Sequence, residues 1–239
     1  YWFIAIHLLT STKKSFSAAE LQRQLGHKRY EPIWTLLHKL REIMGKRDEM
    51  YSLSGVIELD EGFFSTETPD DEKKKPLKRG RGSQKKSNVL VMAESQPVEG
   101  QTTKTGKPRQ VGHIKMIVIN DLKSATITPL VENNVTKEST IDSDDSTSYV
   151  KLKDIVKEHR PQVIPKEEIG KVLPWVHIAI SNAKRMLLDI YHDIKPEYLQ
   201  NYLNEFCYKF NRRYFGENLF DRLMIASVTY KNQFRQYNG

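Results

Sequence analysis

Asp60 stands in the middle of an apolar run, Val56-Ile57-Glu58-Leu59-Asp60-Glu61-Gly62-Phe63-Phe64, that reads as a β-strand. A carboxylate in such a strand is costly to bury unless a cation or a hydrogen-bond donor meets it. Asp144 closes a second short strand, Thr140-Ile141-Asp142-Ser143-Asp144, at an acidic turn where its side chain could meet that of Asp60. Carboxylates converging from separate parts of a chain are the hard oxygen ligands that Mg²⁺ requires. Enzymes that cut or join phosphodiesters commonly hold two such ions about 3.5–4 Å apart, one activating the nucleophile and one stabilising the leaving oxygen. Two neighbours compete with Asp60: alternation along the strand puts Glu58 on its face and Glu61 on the opposite one. The ordinary role of an aspartate at a strand end is to form a turn or cap a helix. Asp142 and Asp145 could serve that end here, with Asp145 or Ser146 capping the helix that follows.

The elements that must carry these groups can be read from periodicity. Residues 1–48 read as helical, with Ser17-Ala18-Ala19-Glu20 as a capping box and Gly26 ending a short helix at a tight turn. Ile33, Trp34, Leu37, Leu40, Arg41 and Met44 then recur at helical spacing. Together they give the outline of a DNA-binding helix-turn-helix, an outline shared by plain two-helix hairpins. From residue 51 the period changes. The Asp60 strand, a basic loop at 65–87, the apolar run Asn88 to Glu94, a second polar loop at 95–110 and the run His113 to Ile119 predict an antiparallel meander. A short helix over Thr126 to Val135 and a helix from Ser146 to Val156 follow. Gln162-Val163-Ile164 reads as one more strand, before helices at about 175–189 and 196–213. This is the order of an α/β, RNase H-like mixed sheet flanked by helices. It divides the chain into a helix-turn-helix segment over 1–48 and a catalytic domain over 51–239 that includes the carboxy-terminal helices.

Composition bounds the partners. The chain has 239 residues, 38% hydrophobic and 28% charged, as in an ordinary soluble protein. No apolar run approaches the roughly 18 residues that span a bilayer, and Tyr1 to Leu9 lacks the basic start and small-residue cleavage site of a signal peptide. Beginning on Tyr1 rather than Met, the sequence reads as a fragment. The single cysteine, Cys207, excludes a disulfide framework or a Cys-based zinc site within these residues. It reads as a small buried hydrophobe, and the cytoplasm, with the nucleoid, is the expected compartment. A net charge of +8 points to polyanionic partners. Lys73, Lys74, Lys75, Lys78, Arg79, Arg81, Lys85 and Lys86 crowd into one stretch, which suits a solvated loop or a strip lying along phosphates.

Four stretches carry a resemblance: Gly55 to Glu61, Ser143-Asp144 followed by Tyr149, Tyr191-His192 with Leu199 to Phe206, and Phe210-Asn211-Arg212-Arg213. In this order they resemble the insertion-sequence transposases with a DDE-type, RNase H-like catalytic domain, the ISXO-like group. Ser17 to Met44 resembles that family's helix-turn-helix. The resemblance implies a DNA transposase using Mg²⁺ or Mn²⁺ on the inverted-repeat ends of its own element, with Asp60 and Asp144 as first and second metal ligands. It also implies self-association on DNA, and no membrane. Two departures stand out: the family's Cys-rich zinc ribbon does not precede the helix-turn-helix here, in keeping with a truncated chain, and the third acidic residue is missing. Counting back from Tyr191-His192, that third position falls on His177, with Lys184 seven residues later where the family has a basic residue.

Helix geometry bears on that placement. At about 100° per residue, Val176, Ala179, Ile180, Ala183, Met186, Leu187 and Ile190 share an apolar arc. His177, Ser181, Lys184 and Leu188 run along one edge of it, and Asn182 lies near the other. Only the first edge pairs a possible ligand with a phosphate-binding lysine, so His177 is the first choice to close the site and Asn182 the second. Imidazole is softer than carboxylate and favours Mn²⁺; His177 could instead act as a general base, contact phosphate or merely pack. Lys184, Arg185, Arg212 and Arg213 join Lys78, Arg79, Arg81 and Lys85 as candidate DNA contacts, although cations near a helix end also suit the helix dipole. Trp34, Trp175 and the i+4 series Tyr198, Tyr202, Phe206 and Phe210 read as core. A catalytically inactive DNA-binding regulator derived from a transposase, and another nuclease of the same fold, are the competing functions.

Overall fold

Three strands of alternating or wholly apolar sequence, β1 (Val56–Ser65), β2 (Lys86–Pro97) and β3 (Arg109–Ile119), pair antiparallel as the predicted meander. The structure is a computed structural model that describes residues 1–70, 72–76, 78, 80, 83–98, 108–163, 172–191 and 193–234. After helix α4 (Ser124–Asn134), the short strand β4 (Thr140–Asp144) adds parallel to β1, and β5 (Glu158–Gln162) adds parallel to β4. The resulting mixed sheet has the order β3-β2-β1-β4-β5, with β1 at its centre. That order, with helices against the sheet, is the RNase H-like arrangement that the element sequence predicts.

Two predicted elements differ. Residues 146–156 form two short 3₁₀ turns, Thr147–Tyr149 and Leu152–Asp154, instead of one helix. Ser146 Oγ accepts from Ser148 N at 3.3 Å and Ser148 Oγ donates to Leu122 O at 2.6 Å, so local side-chain bonds replace the α-helical ladder. The last strand lies at 158–162 rather than 162–164. It is an edge strand held by register with β4 and by the Arg160–Asp142 pair at 2.7 Å, with Pro161 tolerated at the edge. Its sequence is polar because most of its side chains face out. Val163 is exposed, and Ile164 lies outside the described residues.

The chain divides into two compact units. One comprises residues 51–184 and 193–199 and contains the sheet. Ile57, Leu59, Leu90, Met92 and Ile141 pack on one sheet face against Ile127 and Val131 of α4 and against Tyr149 and Leu152 of the 3₁₀ turns. On the other face the first part of α5 (Pro174–Ile190) runs along β1. Val176, Ala179, Ile180, Ala183 and Leu187 of the predicted arc are buried, with Met186 and Ile190 partly so.

The other unit comprises residues 1–50, 185–192 and 200–239. Here α1 (Trp2–Ser11), α2 (Ala18–Leu25) and α3 (Glu31–Glu49) share a core with residues of α6 (Pro196–Asn211) and α7 (Asn218–Thr229), among them Leu37, Met44, Tyr208 and Leu223. The Ser17 cap and the turn form as expected, with Ser17 Oγ accepting from Glu20 N at 3.1 Å and Gly26 in the left-handed conformation at φ 61°. The box does not close: the Glu20 carboxylate accepts from Arg23 and Gln24 instead. Helix α3 is the unit's core helix, with Ile33, Leu36, Leu37, Leu40, Ile43 and Met44 all buried. Inside this core Arg41 Nε donates to Glu205 Oε2 at 2.9 Å, both side chains being almost wholly enclosed. Tyr198, Tyr202, Phe206 and Cys207 are buried as expected, while Trp34 and Trp175 are half-buried.

Candidate active site

The register of β1 against β4 runs from Val56↔Thr140 to Leu59↔Ser143. The next two positions are Asp60 and Asp144, so parallel pairing alone sets the two predicted carboxylates side by side where β4 ends against the middle of β1. Ser143 fixes the end of β4: its hydroxyl donates to Asp144 O at 2.8 Å and lies 2.8 Å from His159 Nε2 on β5. Asp60 Oδ1 accepts from Glu61 N at 2.7 Å, and its side chain is about 20% exposed.

A third carboxylate joins them. Oxygens of Asp60, Glu61 and Asp144 all lie within 4.8 Å of one another. Strand alternation puts Glu61 on the face opposite Asp60, and its backbone obeys that rule. The β1–β4 register ends at Leu59↔Ser143, however, and past that point a carboxylate oxygen of Glu61 still comes within 4.8 Å of those of Asp60 and Asp144. Alternation places the Glu61 backbone correctly but does not exclude its carboxylate from the cluster. The signal that could have found it is the Asp-Glu pair standing where the neighbouring strand stops. Glu58, on Asp60's face, does a different job: its Oε2 accepts from Trp175 N at 2.7 Å and Val176 N at 3.1 Å, capping the start of α5. Burial pushes its carboxyl up to about 7, against the downward pull of those two N–H donors.

Helix α5 brings His177 to the border of the cluster, with Nδ1 3.8 Å from Asp60 Oδ2. Burial holds its imidazole below the usual histidine range, which favours the neutral form. Two turns on, the Lys184 ammonium sits 5.6 Å from the centroid of the Phe64 ring, and its pKa is lowered by burial and by Lys86. His177, Ile180 and Lys184 thus track Asp60, Gly62 and Phe64 along β1. Asn182, five residues beyond His177, points about 140° away from it round the helix. The helix offers Asp60 the first choice and not the second.

The other basic residues divide. Lys78 and Lys85 are exposed, and Arg185 is exposed on α5. Arg79 and Arg81 lie outside the described residues. Arg213 is half-buried and stacks on the rings of Phe210 and Tyr214. Arg212 is a correction: it is 5% exposed, with Nη1 donating to Asp48 Oδ1 at 2.6 Å, so its charge serves the interior of its unit.

Three hard carboxylates this close fit Mg²⁺ or Mn²⁺, which take oxygen ligands and tolerate an adjacent imidazole. Uncompensated, the same three charges would repel. Among the described residues no helix is long and apolar enough to cross a membrane.

The solved structures that the chain resembles include three Mos1 complexes, all at low similarity. A pre-cleavage Mos1 transpososome aligns with a TM-score of 0.35 at 10% identity, over 91% of this chain and 80% of that one. The Mos1 mariner paired end complex with Mn gives 0.36 at 12% identity over 92% and 80%. The Mos1 transposase paired-end complex with left transposon end gives 0.34 at 11% over 96% and 80%. No curated protein matches the chain. The ISXO2-like transposase domain matches residues 52–211, spanning β1 to the end of α6 and both aspartates. The chain belongs to the ISXO2-like transposase family.

Proposed function

We propose that this transposase cuts and joins the ends of an insertion sequence by metal-dependent phosphodiester hydrolysis and strand transfer. The observation that carries the proposal is the convergence of Asp60, Glu61 and Asp144 at one strand edge inside the family-matched region. Bound Mg²⁺ or Mn²⁺ would polarise the phosphate, lower the pKa of the attacking water and stabilise the departing oxygen. Asp60 and Asp144 take the two main ligand roles, with Glu61 as the third carboxylate. Neutral His177 lies where it can accept a proton or complete the ligand set from α5. In the first step water adds to phosphorus and the bond to the 3′-oxygen breaks, leaving a 3′-hydroxyl on the element. In the second that hydroxyl attacks a target phosphodiester, forming one P–O bond and releasing the target's own 3′-oxygen.

Lys184 and Arg185, with Lys78, Arg79, Arg81, Lys85 and Arg213, would neutralise phosphates of the duplex ends and target. The amino-terminal helices would add contacts to terminal inverted repeats. The substrate is double-stranded DNA bridged by more than one copy of the chain, and the setting is the bacterial nucleoid. In purified protein with terminal-repeat DNA, Asp60→Asn and Asp144→Asn should each abolish Mn²⁺-supported cleavage and joining while leaving DNA retention in a gel-shift assay intact. Joining that survives both substitutions overturns the site. The second reading, an inactive DNA-binding regulator, is favoured by the imidazole of His177 where the family has an acid. It gains if the wild-type protein binds the ends but cuts in neither metal.

A further inference from the structure

Ser143 interrupts the apolar face of β4. Alternation sets it beside Ile141, a residue of the sheet's core, and Ser143 is itself wholly buried. A hydroxyl so placed is costly unless it is bonded, and alanine would fill most of the same space. Here it is bonded on both sides. Ser143 Oγ donates to Asp144 O at 2.8 Å, and His159 Nε2 lies 2.8 Å from the same Oγ. A serine hydroxyl has a single proton; with that proton on the Asp144 carbonyl, Oγ accepts from His159 Nε2–H. The imidazole reaches it because β5 pairs parallel to β4, with His159 opposite Ile141 and hence on the face of Ser143. On the other face Arg160 takes up Asp142, through Nε at 2.7 Å and Nη2 at 3.0 Å, and holds the same two strands in register.

We infer that His159 is a positioning residue of the metal site: through Ser143 it fixes the Asp144 peptide, and so the direction from which the Asp144 carboxylate meets those of Asp60 and Glu61. Asp144 is the last residue of β4 and lies beyond the last pairing of that strand with β1. Pinning its carbonyl sets ψ at Asp144 just where pairing with the central strand no longer does so. His159 acts through Ser143 and the backbone, by hydrogen-bond direction and not by its charge. Outer partners of metal ligands change metal affinity by about 10–100-fold.

The inference rests on the metal-site reading proposed above, and the test keeps the two apart. Mn²⁺ affinity is measured calorimetrically, at a temperature where thermal melts show every variant folded. The set is wild type, Ser143→Ala, His159→Phe, His159→Gln, the double variant of Ser143→Ala with His159→Phe, and Asp144→Asn. Ser143→Ala and His159→Phe should each weaken Mn²⁺ binding about tenfold or more. The double variant should bind as Ser143→Ala does, because the two side chains form one relay. Glutamine offers an amide N–H near the place of Nε2, so His159→Gln should recover most of the affinity that the ring of phenylalanine does not. Wild-type affinity in Ser143→Ala, losses that add in the double variant, or a His159→Gln no better than His159→Phe would overturn the positioning role. If His159→Phe does not fold, Ser143→Ala decides alone, since it removes a single oxygen. If wild type shows no Mn²⁺ binding that Asp144→Asn removes, the metal-site reading fails, and the inference with it. Binding that Asp144→Asn removes and Ser143→Ala leaves intact overturns the inference alone.

Discussion

His177 Nδ1 and Asp60 Oδ2 lie 3.8 Å apart, joining the first turn of α5 to the middle of the central strand. The contact is possible because Glu58, one alternation earlier on the same face, anchors the N-terminus of α5 through Trp175 N and Val176 N. A residue type outside the acidic pattern therefore occupies the place from which α5 addresses the carboxylate cluster.

Replacing His177 with glutamate should restore a carboxylate to that place. Like charges near 4 Å repel by a few kcal/mol at the effective dielectric of a partly exposed site. The metal-free variant should therefore melt below wild type, by about 1–2 kcal/mol once solvent screening is allowed for. Mn²⁺ or Mg²⁺ should stabilise it more than it stabilises wild type. Melts with EDTA and with excess metal check this; an unchanged metal-induced shift would remove His177 from the site.

Gly62 sets how closely α5 approaches β1. A Cβ there would stand 2.8 Å from Phe64 Cε2 and 3.4 Å from Ile180 Cγ1, and Phe64 is buried with little room to yield. Gly62→Ala should cost about 1–3 kcal/mol, as overpacked cores do. It should also weaken metal binding by shifting His177. Urea denaturation with a parallel Mn²⁺ titration measures both effects, and a variant as stable as wild type would show that α5 is not tightly seated.

In the helical unit, Glu205→Gln should be severe. Glu205 and Arg41 are both fully enclosed at 2.9 Å, with Lys209 Nζ 3.6 Å from the other glutamate oxygen. Removing one partner strands buried positive charge, at a cost of about 3–5 kcal/mol. Chemical denaturation would report it; a loss under about 1 kcal/mol would mean that water reaches the network.

His38 makes stability depend on pH. Burial among Trp34, Tyr202 and Phe234, with the Arg41 charge nearby, lowers its pKa from 6.5 to about 2. The folded state keeps it neutral while the unfolded chain protonates near 6.5, so its contribution is full above that pH and is lost as pH falls. Between pH 7 and pH 5 the loss is about 2 kcal/mol. The stability gap between wild type and His38→Gln should narrow by that amount over the same range, as read from urea midpoints. A constant gap would contradict a buried neutral imidazole.

Much of the architecture was legible because it is local or periodic. Apolar runs mark β1, β2 and β3, and Ser17 and Gly26 bracket α2. The arc from Val176 to Leu187 identifies the buried face of α5. The edge strand β5 was displaced because its residues are polar and exposed, leaving no apolar signal. The 3₁₀ turns at 147–154 were missed because Ser146 and Ser148 bond to nearby backbone, a competition that helical spacing does not reveal.

By itself the sequence singled out Asp60 and Asp144, since one sits where burial is costly and both stand in stretches that resemble a transposase family's motifs. It also determined that His177 and Lys184 share one side of a helix. Only the tertiary structure decided which groups meet. Parallel pairing stops at Leu59↔Ser143, and past that point a carboxylate oxygen of Glu61 joins the cluster, although its backbone position faces away. Alternation specifies where a Cβ points. Where a long side chain ends depends on what the neighbouring strand leaves open, and that is a property of three-dimensional packing.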